Sequence, residues 1–262
     1  MPISFNRILL TAWTVLLLAG AAQAQLNESD TLKFQLRSTL SGNYQKGNVE
    51  MLTLRSRLDA VWALSGNFVF KTQNSTLYQS FFGRKADNDL FSRNYLYYKP
   101  RNRVYPYAIA YLSTNFRRKV DIRYFAGAGA TVQVLRSKHN QLKLSANAVY
   151  EQSDFAANTF NDSRYNGSSN IRLWRASAFV MGSSWLFHRR LRFFYDAFWQ
   201  PALSRRSNYR TQLDLGLEAP LWKGLSLNAL YTRTHENVVP LSTQTTDSIL
   251  TFGLSYAFSR KN

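Results

Sequence analysis

The stretch Ser248 to Phe258 places Leu250, Phe252, Leu254, Tyr256 and Phe258 on one parity and Ile249, Thr251, Gly253, Ser255 and Ala257 on the other. Successive side chains of a strand point to opposite faces, so one face here is oily and aromatic-tipped and the other mostly small or polar. Such a strand needs an apolar medium on one side and a wetter space on the other. Lipid outside and a barrel interior inside meet both needs, with Tyr256 and Phe258 at the depth of an aromatic girdle.

The pattern recurs. Alternating segments of strand length run approximately 31–42, 49–63, 67–81, 90–99, 104–115, 122–136, 141–152, 170–187, 191–202, 209–221, 225–235 and 247–259. An even number of antiparallel strands returns both chain ends to one side of a membrane, the periplasmic side in bacterial barrels. The connections agree with this, being short at Ser65-Gly66, Arg101-Asn102, Lys138 to Asn140, His188 to Arg190 and Trp222 to Gly224. On the other side they are read as longer: Tyr44 to Asn48, Gly83 to Asp89, Asn115 to Asp121, Ser153 to Ser169, Leu203 to Asn208 and Glu236 to Thr246. The expected fold is all-β, a transmembrane antiparallel up-and-down β-barrel of about twelve strands.

Parity then sorts the charges. Lys33 and Arg37 oppose Leu32, Phe34, Leu36 and Leu40; Arg55, Arg57 and Asp59 oppose Leu52, Leu54 and Leu58. Arg123 falls on the side away from Tyr124 and Ala126, Lys143 and Glu151 away from Leu144 and Tyr150, and Arg210, Asp214 and Glu218 away from Leu213, Leu215 and Leu217. Lys71, Arg192 and Asp196 join them as lumen candidates from segments whose two faces are both apolar. A basic residue on the lipid face near the midplane costs about 2–4 kcal/mol, which gives a physical reason for the sorting. Arg175 breaks the rule, because the pattern switches parity between Trp174 and Ala176 and leaves it facing lipid unless a β-bulge intervenes. Two readings of the interior stay open: a water-filled passage favouring anions, or a plugged interior in which acids and bases satisfy each other.

The chain begins with a secretory signal pattern: Arg7, an apolar run from Ile8 to Ala19, and Ala22-Gln23-Ala24 as a small-x-small cleavage site. Residues 1–24 are therefore assigned to export and 25–262 to the barrel. There is no cysteine, hence no disulfide framework or thiolate metal site, and the net charge is +18. The basic residues are scattered along alternating strands with no recognition motif, so nucleic acid is not an expected partner. Outer-membrane lipid and lipopolysaccharide are, through Arg84-Lys85, Arg117-Arg118-Lys119 and Arg205-Arg206 in expected external loops.

Catalytic chemistry finds little purchase. His139 and His188 lie in expected turns, and His235 precedes a long loop with no serine two residues away on its face. No catalytic, cofactor or metal residue is assigned. Gly127-Ala128-Gly129 lacks the third glycine and the helix of a dinucleotide site, and reads instead as interior space for bulky side chains from across the barrel, or as a point of strand bending.

The first hairpin, Leu40-Ser41-Gly42-Asn43 through Gly47-Asn48 into Leu52-Thr53-Leu54, together with Asn88-Asp89 and Arg123-Tyr124-Phe125-Ala126-Gly127-Ala128-Gly129-Ala130, resembles the YdiY-like salt-induced outer-membrane protein family, a domain of unknown function. The resemblance implies an outer-membrane barrel of a Gram-negative bacterium with no established activity, inserted by the barrel-assembly machinery. Ser259 to Asn262 follow the terminal aromatic Phe258, which departs from the usual sorting signal. The expected role is a narrow anion-favouring channel or a structural envelope barrel. The alternatives are a barrel enzyme acting on lipid or peptide, and a soluble periplasmic β-sandwich or ligand-binding barrel. Solute, oligomeric state and trigger are left open.

Overall fold

The computed structural model describes residues 26–260 except 30, 138 and 206. The export signal, Lys138, Arg206 and the last two residues lie outside the described residues. Twelve strands follow in chain order: β1 (Phe34–Gln45), β2 (Met51–Ser65), β3 (Phe68–Phe81), β4 (Arg84–Tyr98), β5 (Val104–Asn115) and β6 (Val120–Arg136), then β7 (Asn140–Phe155), β8 (Asn170–Leu186), β9 (Leu191–Pro201), β10 (Tyr209–Trp222), β11 (Leu225–Glu236) and β12 (Thr246–Arg260). Each pairs antiparallel with its sequence neighbours, and β1 closes the ring against β12 from Phe34↔Arg260 to Leu40↔Leu254. Closure leaves no free sheet edge, the condition under which strands can cross a bilayer. The shortest strand, β9, has 11 residues and the longest, β6 and β8, have 17, enough for the 9–11 residues a tilted crossing takes.

The burial pattern is inside-out. Leu250, Phe252, Leu254, Tyr256 and Phe258 are all exposed on the outer wall, Phe252 at 66%, and the belt continues around the ring through Leu217, Tyr150, Tyr124, Leu58 and Leu40. Gln35, Asp59, Arg93, Lys143, Glu151 and Arg210 are buried within. A soluble sandwich puts its oil inside, so this distribution speaks against the soluble alternative and makes the chain a membrane-spanning barrel.

The two ends differ, less cleanly than the sequence suggests. At the end carrying both described chain ends the connections are tight, as at Lys223-Gly224. At the opposite end the connections 156–169, 202–208 and 237–245 are long. The expected loop from Gly83 to Asp89 is instead a two-residue turn, Phe82-Gly83, with both residues at positive φ (47° and 70°), and β4 begins at Arg84. That is the hairpin geometry whose twist matches the flanking strands. The Asn115 to Asp121 connection likewise contracts to residues 116–119.

Arg175 is a second correction. β7 pairs with β8 from Asn140↔Ser184 to Asp154↔Asn170 without a register shift, so no bulge intervenes, and Arg175 is buried in the lumen at 5% exposure. The sequence gives the impression of a parity switch only because Leu173 and Phe179, which share its face, are themselves interior.

The interior also has an apolar half. Tyr95, Tyr97, Tyr105, Tyr107, Ile109, Phe125 and Val149 form a buried cluster on β4–β7, with Tyr95 stacked on Tyr97 and Tyr111 on Phe125. Asn147 Nδ2 donates to the Tyr107 hydroxyl at 3.0 Å. Each large side chain so removed from water contributes about 1.5–3 kcal/mol. This cluster fills the β4–β6 side of the lumen toward the terminal end, while β4 and β6 also carry the buried Arg93 and Arg123.

Candidate functional site

Two cavities occupy the rest of the lumen. One, of about 180 Å³, lies toward the terminal end and is lined from β1–β3 and β7–β12 but by no residue of β4–β6, where the tyrosine cluster stands. The other, of about 200 Å³, lies toward the loop end. Arg55, Arg57, Asp214 and Leu230 line both, so the two spaces meet where three charged side chains and one leucine stand. Buried atoms with no protein partner, Asp214 Oδ1, Arg192 Nε and Arg210 Nη1, belong to residues lining these cavities, where water can satisfy them.

Ion pairs cross the lumen between the cavities and the loop end. Glu151 on β7 receives Arg210 from β10 and Arg175 from β8, the latter at 3.2 Å. Arg123 on β6 reaches Glu236 at the end of β11 through two parallel bonds of 2.7 and 2.9 Å and donates to Ser153 Oγ at 2.9 Å. Arg118, from the β5–β6 turn, pairs with the same Glu236 at 3.1 Å and with Asp247 at 2.8 Å. Lower down, Arg93 joins Asp196 at 2.9 Å, Arg57 joins Asp59, and Glu218 takes both Arg192 and Arg37, at 2.9 and 3.4 Å. Charges so buried demand partners; Arg57–Asp59 lies within β2, while Arg93–Asp196 and Arg123–Glu236 tie distant walls together.

The terminal mouth is filled by the chain itself. Asn27, Glu28 and Ser29 precede β1 and are buried inside the barrel. Glu28 Oε1 accepts from Lys143 Nζ at 2.6 Å and from the Tyr105 hydroxyl at 2.8 Å, and its Oε2 sits 3.2 Å from Lys71 Nζ. Burial by itself would raise the Glu28 carboxyl, but the Lys143 and Lys71 charges outweigh it and hold the group well below the usual carboxylate range. Asn27 exchanges two bonds with the Gln35 side chain, both 2.9 Å, and Arg136 donates to Ser29 O at 2.9 Å.

The loop end is covered by two connections locked to one another. Asn161 N donates to Val239 O and Leu241 N to Thr159 O, while Phe160 packs with Val120, Phe155 and Val238. Asp162 caps the short 3-10 turn Ser163–Tyr165, and the bonds from Arg164 hold its carboxyl down at about 2.

The sequence candidates fall into place unevenly. Arg37, Arg57, Asp59, Lys71, Arg123, Lys143, Glu151, Arg192, Asp196, Arg210, Asp214 and Glu218 all reach the interior, and Arg55 borders both cavities. Lys33 does not, being exposed at the terminal rim before β1 begins. Of the loop-end basic residues, Arg84 and Lys85 are exposed on β4 rather than in a loop, Lys85 lying over the Phe116 ring, and Arg117 pairs with Asp87 at 2.6 Å. Lys119 is half-buried and Arg205 exposed beside Tyr165. Arg118 is the correction among them: it is buried in the lumen at 4% exposure, because a tight turn directs it inward toward Glu236 and Asp247.

Parity and motifs pass over Glu28, Arg93, Glu236 and Asp247. Extending the β11 parity by one residue would have found Glu236; Glu28 lies outside any periodic segment and carries no such signal. His235 Nδ1 lies 2.9 Å from Thr246 Oγ1, and Arg189 Nε donates to His139 Nε2. Gly127 makes room for the adjacent strand rather than for bulky chains from across the barrel: a Cβ there would collide with Ala148 O and lie 2.7 Å from Val149 Cα.

No curated protein matches the sequence. Among solved structures the chain is similar to the NanC porin, at 10% identity over 87% of this chain and 100% of that one with a TM-score of 0.48. It is also similar to the translocator domain of the autotransporter NalP from Neisseria meningitidis (12%, 97% of each chain, TM-score 0.47) and to the COG4313 outer membrane channel from Pseudomonas putida F1 (14%, 90% and 100%, TM-score 0.44). The family resemblance carried by the glycine-based motifs holds: the chain belongs to the DUF481 family of proteins of unknown function, whose sequence model matches residues 22–258.

Proposed function

We propose that this barrel resides in the outer membrane of a Gram-negative bacterium, chain ends on the periplasmic side, as a narrow anion-favouring conduit held closed in this conformation. The observation that carries the reading is the pair of cavities that meet at the charged side chains of Arg55, Arg57 and Asp214. Arg55 has no ion-pair partner within 4 Å among the described residues and presents a guanidinium to both spaces. A lumen meant only for strength gains nothing from a cation without a bonded counter-ion, whereas a passing anion does. Arg84, Lys85, Arg117, Lys119 and Arg205 would meet lipopolysaccharide phosphates at the outer rim.

The test is conductance of the purified protein in planar bilayers. Small discrete steps with reversal potentials favouring anions, and loss of that preference in Arg55→Gln, support the conduit. The second reading, a structural envelope barrel, is favoured by the cross-lumen ion pairs, and silence over many insertions at neutral and at acid pH alike would establish it instead. No enzymatic role is proposed; a lipid or peptide substrate turned over by wild type and not by His235→Ala would reverse this.

A further inference from the structure

The residues around Glu28 are arranged as a receptor. Its two carboxylate oxygens are engaged from three strands: Oε1 by Lys143 of β7 and Tyr105 of β5, Oε2 by Lys71 of β3. Lys143 and Tyr105 are buried, and the set brings two ammonium charges and a hydroxyl onto one carboxylate. Residues 26–29, by contrast, belong to no strand. They are held by side-chain bonds from Gln35, Lys143 and Arg136 rather than by a ladder, so they are the part of the lumen that can leave without breaking the barrel. Leu26 and Glu28 also line the terminal cavity, so their departure would enlarge that space and open it to the periplasmic mouth.

We propose that Lys71, Lys143 and the Tyr105 hydroxyl form a carboxylate-binding site in the terminal mouth, occupied here by Glu28 as an internal ligand whose departure admits a carboxylate-bearing solute. Passage of that solute rests on the conduit reading above; the binding site itself stands on the geometry. A carboxylate is the group these donors hold here, with one oxygen on Lys143 and Tyr105 and the other on Lys71.

The experiment measures thermal unfolding of the detergent-solubilised protein with sodium propionate, the side-chain analogue of glutamate, against sodium chloride and sodium phosphate at equal ionic strength. In Glu28→Ala, saturating propionate should raise the midpoint by roughly 5–10 °C, as expected for a ligand present at about a hundredfold its Kd. Wild type, with the site already filled, and Glu28→Ala with Lys143→Met should not respond. No difference between Glu28→Ala and wild type overturns the site, and an equal response to phosphate overturns the carboxylate assignment. Should Glu28→Ala fail to fold, Glu28→Gln keeps the side-chain shape; a propionate response in it larger than in wild type supports the site, and one no larger overturns it. Conductance of the same variants separates the two claims: propionate stabilisation in a barrel that never conducts keeps the site and removes the conduit.

Discussion

Arg123 and Glu236 face each other across the lumen through two parallel bonds, Nη1 to Oε1 at 2.7 Å and Nη2 to Oε2 at 2.9 Å, although 113 residues separate them in sequence. Four strands, β7 to β10, lie between β6 and β11 along the shorter way around the ring, so the pair braces distant walls. Removing Glu236 takes the counter-charge from both Arg123 and Arg118, whereas removing Arg123 leaves Glu236 paired with Arg118. Glu236→Ala should destabilise the barrel by about 3–5 kcal/mol, and Arg123→Ala by less. The double variant should lose clearly less than the sum. Urea unfolding in lipid vesicles checks both, and additive losses would mean that the pair does not act as a unit.

Gly127 and Gly216 both sit where a Cβ has no room, for different reasons. At Gly127 the obstacles are backbone atoms of β7, Ala148 O and Val149 Cα, and the strands would have to part. At Gly216 the nearest atoms are the far end of the Phe194 ring, and a ring can swing. Gly127→Ala should therefore cost about 3 kcal/mol and Gly216→Ala about 1 kcal/mol. Phe194→Ala should remove the Gly216→Ala effect by unfolding measurements, and Val149→Ala should not rescue Gly127→Ala.

What the sequence reveals and what it hides follows from the same physics. Leu217 beside Glu218, or Leu144 beside Lys143, reports a face because lipid excludes charge from one parity absolutely. The interior imposes no equal exclusion. Tyr95, Tyr97, Phe179 and Phe194 are apolar residues on the inner wall, so on β4, β8 and β9 oil occupies both faces and parity goes silent. Arg175 is misread for this reason. Glu28, Phe160 and Val239 are hidden differently, since plug and lid are held by contacts between segments far apart in sequence and leave no periodic trace.

The two faces of β12 give a direct comparison. Phe252 points to lipid at 66% exposure, and Thr251 lines the terminal cavity. Phe252→Arg should destabilise by about 2–4 kcal/mol if it lies near the midplane, while Thr251→Arg should cost under half as much. Equilibrium unfolding in vesicles distinguishes them, and equal costs would contradict the assignment of this face to hydrocarbon.

Acid should release the plug, and the sign follows from Glu28. Its carboxyl is held below the ordinary range, since the Lys143 and Lys71 charges overcome the burial that would raise it. A group lowered in this way contributes stability that is fully present above its undocked value, about 4.3. That contribution is lost as pH falls below that value, and is gone only below the docked one. Around the carboxyl stand Lys143 of β7, Lys71 of β3 and the Tyr105 hydroxyl of β5, with Arg136 of β6 on the neighbouring Ser29 carbonyl. Glu28 is the one carboxylate among these groups. Conductance in planar bilayers should thus be flat from pH 8 to about 5 and rise as pH drops further. Glu28→Gln should already conduct at neutral pH and lose the acid response. An acid-induced rise of the same size in Glu28→Gln would assign the opening to other carboxylates, the Glu236 and Asp247 bridges at the loop end being the next to examine.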